Sequence, residues 1–328
     1  MNLRTIKEED NKIKNSESTT NSQRLIYIKN NIMKKIFIAF SMFALGFMTS
    51  CQQDELIHET SQTNASLEIT ATLEDNTTSR TQLSPLEGNM YKVLWSDKDA
   101  LSVFASEDTH SKYVIKKGAG TVRGSFKWAG GDITAGTENW AGGNEMFVGV
   151  YPHSKNTTIE KSENGFKIHT TIPTEQTFSK DSYGKDAFPM VSVSEDHNFA
   201  FKNVGAIIIV PLKGETKIMS ATLESKNHKV AGTATITVNK ASNWVPTVDV
   251  ANGENKVILS CGEGVNLKTD EATKFFFVLA PGTYEANDLS IKFTDVNKKH
   301  YEFVIPAKLT FKRSQSTTFL EKTFEVKK

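Results

Sequence analysis

Short runs in which every second residue is apolar recur along most of this 328-residue chain, and they constrain its fold more than any other feature. Residues 67–73, 146–150 and 289–293 are three such runs. A period of two is that of β-strands with one face in a core and one in water. Turn-forming residues such as Gly130-Gly131-Asp132 and Pro281-Gly282 separate the runs at short intervals, which favours antiparallel neighbours. The sequence therefore predicts an all-β protein.

Two runs are apolar on both faces, and one segment interrupts the alternation. Residues 206–210 and 275–279 predict central strands that are covered on both sides. Between about residues 170 and 196 the pattern is broken by prolines, a glycine and scattered charges, and it returns at Phe199. We place a domain boundary near Glu195. Residues 66–195 and 196–328 are thus predicted to form two β-sandwiches in tandem.

The N-terminal region has the order of a lipoprotein signal peptide. Lys34 and Lys35 precede an apolar run, Ile36 to Phe47, and small residues lead up to Cys51. The run is too short to span a bilayer comfortably. We interpret residues 33–50 as the signal peptide, residues 1–32 as an extension upstream of the true start codon, and residues 51–65 as a polar tether. Acyl chains such as palmitate on Cys51 would anchor the chain in a bacterial outer membrane.

Composition and charge exclude several classes of function. The formal net charge is +1, and the lysines are dispersed among acids without a basic tract, so nucleic acid is not an expected partner. The chain has two cysteines, and lipidation of Cys51 leaves Cys261 without a partner. The exported protein is therefore expected to fold without a disulfide. Cys261 continues an alternating run and is predicted to be a buried small apolar residue.

No motif announces a catalytic or metal centre. Gly118, Gly120 and Gly124 resemble a nucleotide-binding loop, but Arg123 stands where the third glycine belongs, so we predict a hairpin turn. Asp97-Lys98-Asp99 lacks the other ligands of a calcium loop and predicts a turn. The histidines fall singly, and no nucleophile elbow occurs. We expect no enzymatic activity, no cofactor and no metal site.

The order of several short segments resembles the fimbrillin family, the lipoprotein-derived subunits of type V pili in Gram-negative gut and oral anaerobes. The resemblance covers nearly all of the chain after Cys51, and no single motif is diagnostic. The segments are, in order, Ser79-Arg80-Thr81, residues 93–104 with Trp95, Val150-Tyr151-Pro152, Ile172-Pro173 with Gln176, residues 188–191, residues 199–210, residues 221–225, residues 257–260 and residues 276–284. The resemblance implies two transthyretin-like β-sandwiches behind a lipoprotein signal peptide.

The resemblance also implies a mechanism of assembly. In shaft subunits of this family an arginine-specific protease cuts after the first strand, and a strand of the next subunit fills the vacated groove. Arg80 is the candidate cleavage site here, and the candidate released strand carries Leu67, Ile69, Ala71 and Leu73. After Cys51 the only other arginines are Arg123 and Arg313. Other pilus subunits are therefore the expected partners, and shaft, anchor and tip roles stay open.

A surface glycan-binding lipoprotein is the alternative function. Such a protein needs an exposed aromatic platform, and Trp128, Trp140 and Trp244 are the candidates, whereas Trp95 is assigned to the core. The acidic residues just after Cys51 resemble an export signal to the cell surface, although a flexible spacer has the same composition. In either case we expect an outer-membrane lipoprotein at the cell surface, or a fimbrium if Arg80 is cut, with a host or glycan molecule as a further possible ligand.

Replacing Cys51 tests the lipoprotein interpretation. Cys51→Ala should abolish acylation and leave an uncleaved precursor, because the thiol is the group that takes the diacylglycerol. Metabolic labelling of the producing cells with a fatty acid measures this directly. Label that still enters the variant would show that the interpretation is wrong.

Overall fold

The structure is a computed structural model that describes residues 68–74, 82–83, 93–108, 110–132 and 146–325. Its regular structure in these ranges is β-strand apart from one short 3₁₀ helix, Lys240–Ser242. The predicted all-β fold is confirmed. In the same ranges, no helix is long and apolar enough to cross a membrane. Cys51, Leu67, Arg80 and Trp140 lie outside the described residues.

The strands follow one another with short connections. In chain order they are β1 (Glu68–Leu73), β2 (Gln82–Leu83), β3 (Val93–Leu94), β4 (Ala100–Phe104), β5 (His110–Lys117), β6 (Arg123–Gly131), β7 (Phe147–Tyr151), β8 (Thr158–Ser162), β9 (Gly165–Ile172), β10 (Glu175–Thr177), β11 (Met190–Ser194) and β12 (Asn198–Asn203). They continue as β13 (Ala206–Lys213), β14 (Lys217–Ser225), β15 (Gly232–Asn239), β16 (Thr247–Asp249), β17 (Lys256–Asn266), β18 (Thr273–Leu279), β19 (Gly282–Tyr284), β20 (Leu289–Asp295), β21 (His300–Val304), β22 (Leu309–Phe311), β23 (Ser316–Thr318) and β24 (Lys322–Thr323).

The first sheet closes on itself. Its strands are hydrogen-bonded in the order β1-β12-β11-β7-β4-β5-β6, and β6 pairs with β1 to complete a barrel. The interior is aromatic around Trp95, which is fully buried as predicted. The rings of Phe126, Tyr151 and Phe201 meet the indole edge-on, with centroid distances of 4.9, 5.8 and 5.7 Å. Such edge-to-face contacts are the preferred geometry of buried aromatic pairs.

The later strands form further sheets. One sheet has the order β10-β17-β14-β20-β21, and another has the order β18-β13-β23, with β24 also pairing along β13. Phe275 on β18 meets Phe293 on β20 with ring centroids 5.0 Å apart, so the two sheets pack face to face. A further sheet, β16-β15-β9-β8, and the small pairs β19-β22 and β2-β3 complete the described strands.

The two doubly apolar runs have different positions in their sheet. β13 is central, between β18 and the C-terminal strands, as predicted. β18 is also buried on both faces, but it lies at the end of the sheet, so the prediction of a central strand was wrong for it. The side chain of Gln176 covers its free edge by donating to the carbonyl oxygen of Val278 at 2.7 Å and accepting from its amide at 3.0 Å. A side-chain amide thus takes the place of a neighbouring strand.

Strand pairing crosses the predicted boundary at residue 195. β12, which follows the boundary, belongs to the barrel through β1 and β11. β9 and β10, which precede it, pair with β15 and β17 of the later part. Alternation predicts strands but not their partners, and partners decide where a domain ends. The division into two domains stays a prediction, and strands from both sides of residue 195 pair with one another in the same sheets.

Candidate functional site

β1 sits between two strands that come from distant parts of the sequence. It runs antiparallel to β6, with Ile69 opposite Phe126 and Ala71 opposite Gly124. It runs parallel to β12, with Ala71 opposite Phe199. Without β1, the remaining six strands of the barrel still form one continuous hydrogen-bonded sheet from β12 to β6. We call the gap that β1 fills between β6 and β12 the β1 seat.

The side chains of β1 alternate as the sequence predicts. Ile69, Ala71 and Leu73 are buried, with exposed fractions of 2%, 0% and 7%. Glu68 is exposed and pairs with Lys116 on β5. Thr70 and Thr72, between the buried residues, are half-buried. The structure therefore brings the described members of the predicted released strand onto one inward face.

Hydrogen bonds beyond the ladder also hold β1. The amide of Thr70 donates to the carbonyl oxygen of His197 at 2.9 Å, and that of Leu73 donates to the carbonyl oxygen of Val122 at 2.9 Å. From the barrel interior, the indole Nε1 of Trp95 donates to the carbonyl oxygen of Ala71 at 3.2 Å. The buried indole thus satisfies its polar group on β1 itself.

An ion pair closes the C-terminal end of the β1 seat. Glu74, the residue after β1, accepts two hydrogen bonds from Arg313, at 2.7 Å from Nη1 and at 2.9 Å from Nη2. The two side chains are 13% and 19% exposed. The backbone amide of Asn203 donates to the same carboxylate at 3.2 Å. A bidentate, largely buried pair of this kind is stronger and more specific in geometry than a surface ion pair.

The environment keeps Glu74 ionised. Burial by itself raises the pKa of Glu74, but the hydrogen bonds and the positive charge of Arg313, together with hydrogen bonds from Asn203 and Ser314, lower the pKa by more. The net pKa lies below the ordinary value of 4.5. Because the folded-state pKa is the lower one, the stabilisation is complete above the unfolded-state pKa and is lost as the pH falls through the folded-state value.

Arg313 is also positioned by hydrogen bonds that involve residues outside β1. Its Nη1 also donates to the carbonyl oxygen of Asn203 at 2.8 Å. The side-chain amide of Asn203 donates to the hydroxyl of Ser314 at 2.8 Å, and the Ser314 amide donates to the carbonyl oxygen of Gly205 at 2.8 Å. The guanidinium is therefore positioned by the last residue of β12, Asn203. Sequence reasoning missed this contact, since Glu74 and Arg313 are 239 positions apart.

Two of the candidate ligand-binding tryptophans are described, and they lie on different elements. Trp128 is on β6 and is 41% exposed. Trp244 follows the 3₁₀ helix and is half-buried, with a positive φ of 59° that a bulky side chain rarely adopts. It lines a groove of about 600 Å³ together with Lys161, Glu163 and Lys240. Within the described ranges, no ring contact joins the two indoles into a row.

The two loops that resembled ligand-binding motifs are turns, as predicted. Gly118 and Gly120 have φ values of 95° and 80° between β5 and β6. Lys98 has a φ of 64° in the turn before β4, where Asp99 is fully buried. Asp99 accepts from the amide of Ser96 at 2.6 Å and from the hydroxyl of Tyr151 at 3.2 Å. These contacts give Asp99 a structural role.

Cys261 behaves as the predicted buried apolar residue. It is 7% exposed, and burial raises the pKa of its thiol to about 12. Such a thiol is not a nucleophile at neutral pH. Over the part of the chain that the structure describes, no group of three or more His, Cys, Asp or Glu side chains is placed to hold a metal ion.

Comparison with known proteins yields matches among solved structures alone. No protein-family model matches the chain. No curated protein matches it either. The solved structures include candidate cell adhesion proteins and a fimbrial protein from Bacteroides species.

Three of these structures illustrate the level of similarity. A candidate cell adhesion protein of Bacteroides ovatus is 14% identical, with a TM-score of 0.46, over 80% of this chain and 93% of that one. One from Bacteroides uniformis is 15% identical, with a TM-score of 0.42, over 78% and 93%. A Bacteroides ovatus fimbrial protein is 11% identical, with a TM-score of 0.33, over 80% and 52%. Likeness at this level does not establish a family.

The ion pair can be tested against a matched control. Glu74→Gln should lower the free energy of unfolding by about 1 to 2 kcal/mol, because it leaves the Arg313 charge without its counter-ion. Glu74 and Glu224 each end a four-residue sequence Ala-Thr-Leu-Glu, the second of which lies on β14. Glu224 is exposed, and its carboxylate accepts a hydrogen bond from the Asn255 side chain at 3.4 Å. Glu224→Gln should change stability by less than about 0.5 kcal/mol.

Urea unfolding at several pH values measures both effects. The difference in the free energy of unfolding between Glu74→Gln and the unaltered protein should shrink as the pH falls below 4.5. The Glu74 carboxylate is protonated first in the unfolded chain and then, at lower pH, in the folded protein. Equal losses for the two glutamates, or a difference that does not change with pH, would contradict the assigned role of the pair.

Proposed function

We propose that this chain is a non-enzymatic subunit of a cell-surface pilus of the fimbrillin type. It is exported as a lipoprotein, held at the outer membrane through lipid on Cys51, and assembled by donor-strand addition once the chain is cut after Arg80. Without the cut, the same subunit would serve as an anchor or a tip. The observation that carries the proposal is the position of β1, the first described strand, between β6 and β12.

The geometry supports replacement of β1 by a strand from another subunit. β1 contributes both of its backbone edges to the barrel, while the other six strands remain paired to one another without it. An incoming strand would find two rows of backbone donors and acceptors and an inward groove for alternate side chains. Main-chain hydrogen bonds give such a complex its affinity, and the alternate side chains give it register.

The same contacts keep β1 in place while the chain is continuous. Burying a large aliphatic side chain such as Ile69 or Leu73 contributes about 1.5 to 3 kcal/mol. Covalent connection also keeps the local concentration of β1 high, so that an external strand competes poorly. A cut between β1 and the rest of the barrel removes this advantage. Release of the strand then depends on its contacts alone.

The distribution of arginines supports a single productive cut. Arg123 is the first residue of β6 and is paired with Thr72 in the ladder. Arg313 is mostly buried and engaged by Glu74 and Asn203. Proteases need an accessible segment that can extend into their active site, and paired or buried arginines do not offer one. Arg80 is then the arginine after Cys51 that remains for such a protease.

The groove beside Trp244 supports the alternative of a surface glycan-binding lipoprotein. An indole beside lysine and glutamate side chains offers a stacking face and polar partners, which is the chemistry of a sugar site. In that case β1 would be a permanent strand of the barrel. The behaviour of the chain after cleavage at Arg80 separates the two functions.

Limited digestion with an arginine-specific protease is the test. The intact protein should be monomeric, the first cut should follow Arg80, and oligomers should accumulate with time on size-exclusion chromatography. Arg80→Lys keeps the charge but removes the cleavage site, so it should remain monomeric. The matched variant Arg123→Lys should behave like the unaltered protein. Protection of Arg80 in the folded chain, or a cut chain that never associates, would favour the glycan-binding alternative.

A further inference from the structure

We infer that the β1 seat selects its donor strand by two features: inward side chains that are large, small and large in that order, and an acidic residue immediately after them that pairs with Arg313. This inference rests on the proposed strand exchange and specifies the partner that the exchange accepts. It assigns Arg313 a role in recognition and assigns Trp95 the role of limiting the size of the central donor side chain.

The centre of the seat has room for a small side chain only. Ala71 is fully buried, and its carbonyl oxygen accepts the hydrogen bond from the Trp95 indole. Gly124 lies directly opposite Ala71 on β6. A Cβ atom on Gly124 would come within 3.0 Å of the Trp95 and Phe126 rings. Because directly opposite residues share one face of a sheet, a larger residue at the donor's central position would meet the same crowded rings.

The end of the seat requires a negative charge. Glu74 lies before Arg80 in the chain, so after a cut there it would leave together with β1, whereas Arg313 would stay. The hydrogen bond from Arg313 to the Asn203 carbonyl would hold the guanidinium in its present place. The Asn203 amide, which donates to Glu74, would also lose its acceptor. A mostly buried charge and a free amide donor strongly favour a strand that brings a carboxylate.

The acidic residue and the apolar alternation set the register in complementary ways. A slip of one residue turns the apolar side chains away from the core, so the alternation excludes it. A slip of two residues keeps the faces but moves the carboxylate by roughly 7 Å along the strand, beyond reach of Arg313. The ion pair therefore excludes the shift that the alternation alone would tolerate. It also marks the direction of the donor, parallel to β12 and antiparallel to β6.

A peptide-exchange experiment tests this selection on the full chain. Residues 76–81 are replaced by the recognition sequence of a site-specific protease, so that cleavage does not depend on Arg80. The cleaved protein is then mixed with fluorescent peptides of residues 66–76, and their entry is followed by fluorescence anisotropy. The series comprises the natural peptide, Glu74→Gln, Ala71→Leu and Glu68→Gln.

The natural peptide should enter, and Glu74→Gln and Ala71→Leu should each bind about tenfold more weakly or worse. Glu68→Gln is the matched control, because it removes a carboxylate whose partner Lys116 is exposed, and its affinity should stay within about twofold. In protein carrying Arg313→Gln, the Glu74→Gln peptide should bind as well as the natural one. The peptide series on unaltered Arg313 decides the question even if that variant does not fold.

The outcomes distinguish a failure of donor-strand selection from a failure of strand exchange itself. If the natural peptide does not enter the cleaved protein, strand exchange itself is wrong. If the natural, Glu74→Gln and Ala71→Leu peptides all enter with equal affinity, exchange stands and the selection by charge and size is overturned.

Discussion

The barrel depends on one strand that makes both of its backbone edges available to partners far apart in sequence. β1, which begins at Glu68, is antiparallel to β6 and parallel to β12, which begins at Asn198. These two pairings close the barrel. The indole of Trp95 reaches from the barrel interior to the backbone of β1. Core packing and strand pairing are thereby coupled: a strand that occupies the seat correctly also completes the surroundings of the central aromatic cluster.

The apolar contacts of β1 and the ion pair that follows it differ chemically. The apolar side chains of β1 supply non-directional stabilisation that any strand with similar alternation could provide. The Glu74–Arg313 pair is directional, and it is anchored through Asn203 and Ser314 to the connection between β12 and β13. In the proposed strand exchange, apolar burial would supply the affinity and the ion pair the selectivity. Affinity from burial alone would admit any sufficiently hydrophobic segment.

Alternation in the sequence predicted several strands and their inward residues, but it is broken in the segment that contains β10 and β11. Ile69, Ala71 and Leu73 point inward, Trp95 is in the core, and β13 is central, because each of these follows from local pattern and hydrophobicity. The partners of the strands could not be predicted, since pairing depends on long-range packing that a single sequence does not encode locally. The same four residues, Ala-Thr-Leu-Glu, occur at the end of β1 and on β14, yet Glu74, just after β1, is mostly buried against Arg313 while Glu224 is exposed.

We expect β1 to leave after the cut while the rest of the fold stays intact, and hydrogen exchange measures this release most directly. Mass spectrometry should follow the backbone amides of Thr70 and Leu73 in β1 and those of Ile207 to Val210 in β13, before and after cleavage at Arg80. Cleavage should speed exchange in β1 by about a hundredfold or more and leave β13 unchanged, as expected for local release of one strand. Exchange in β1 and β13 at a common rate, before and after the cut, would contradict the account.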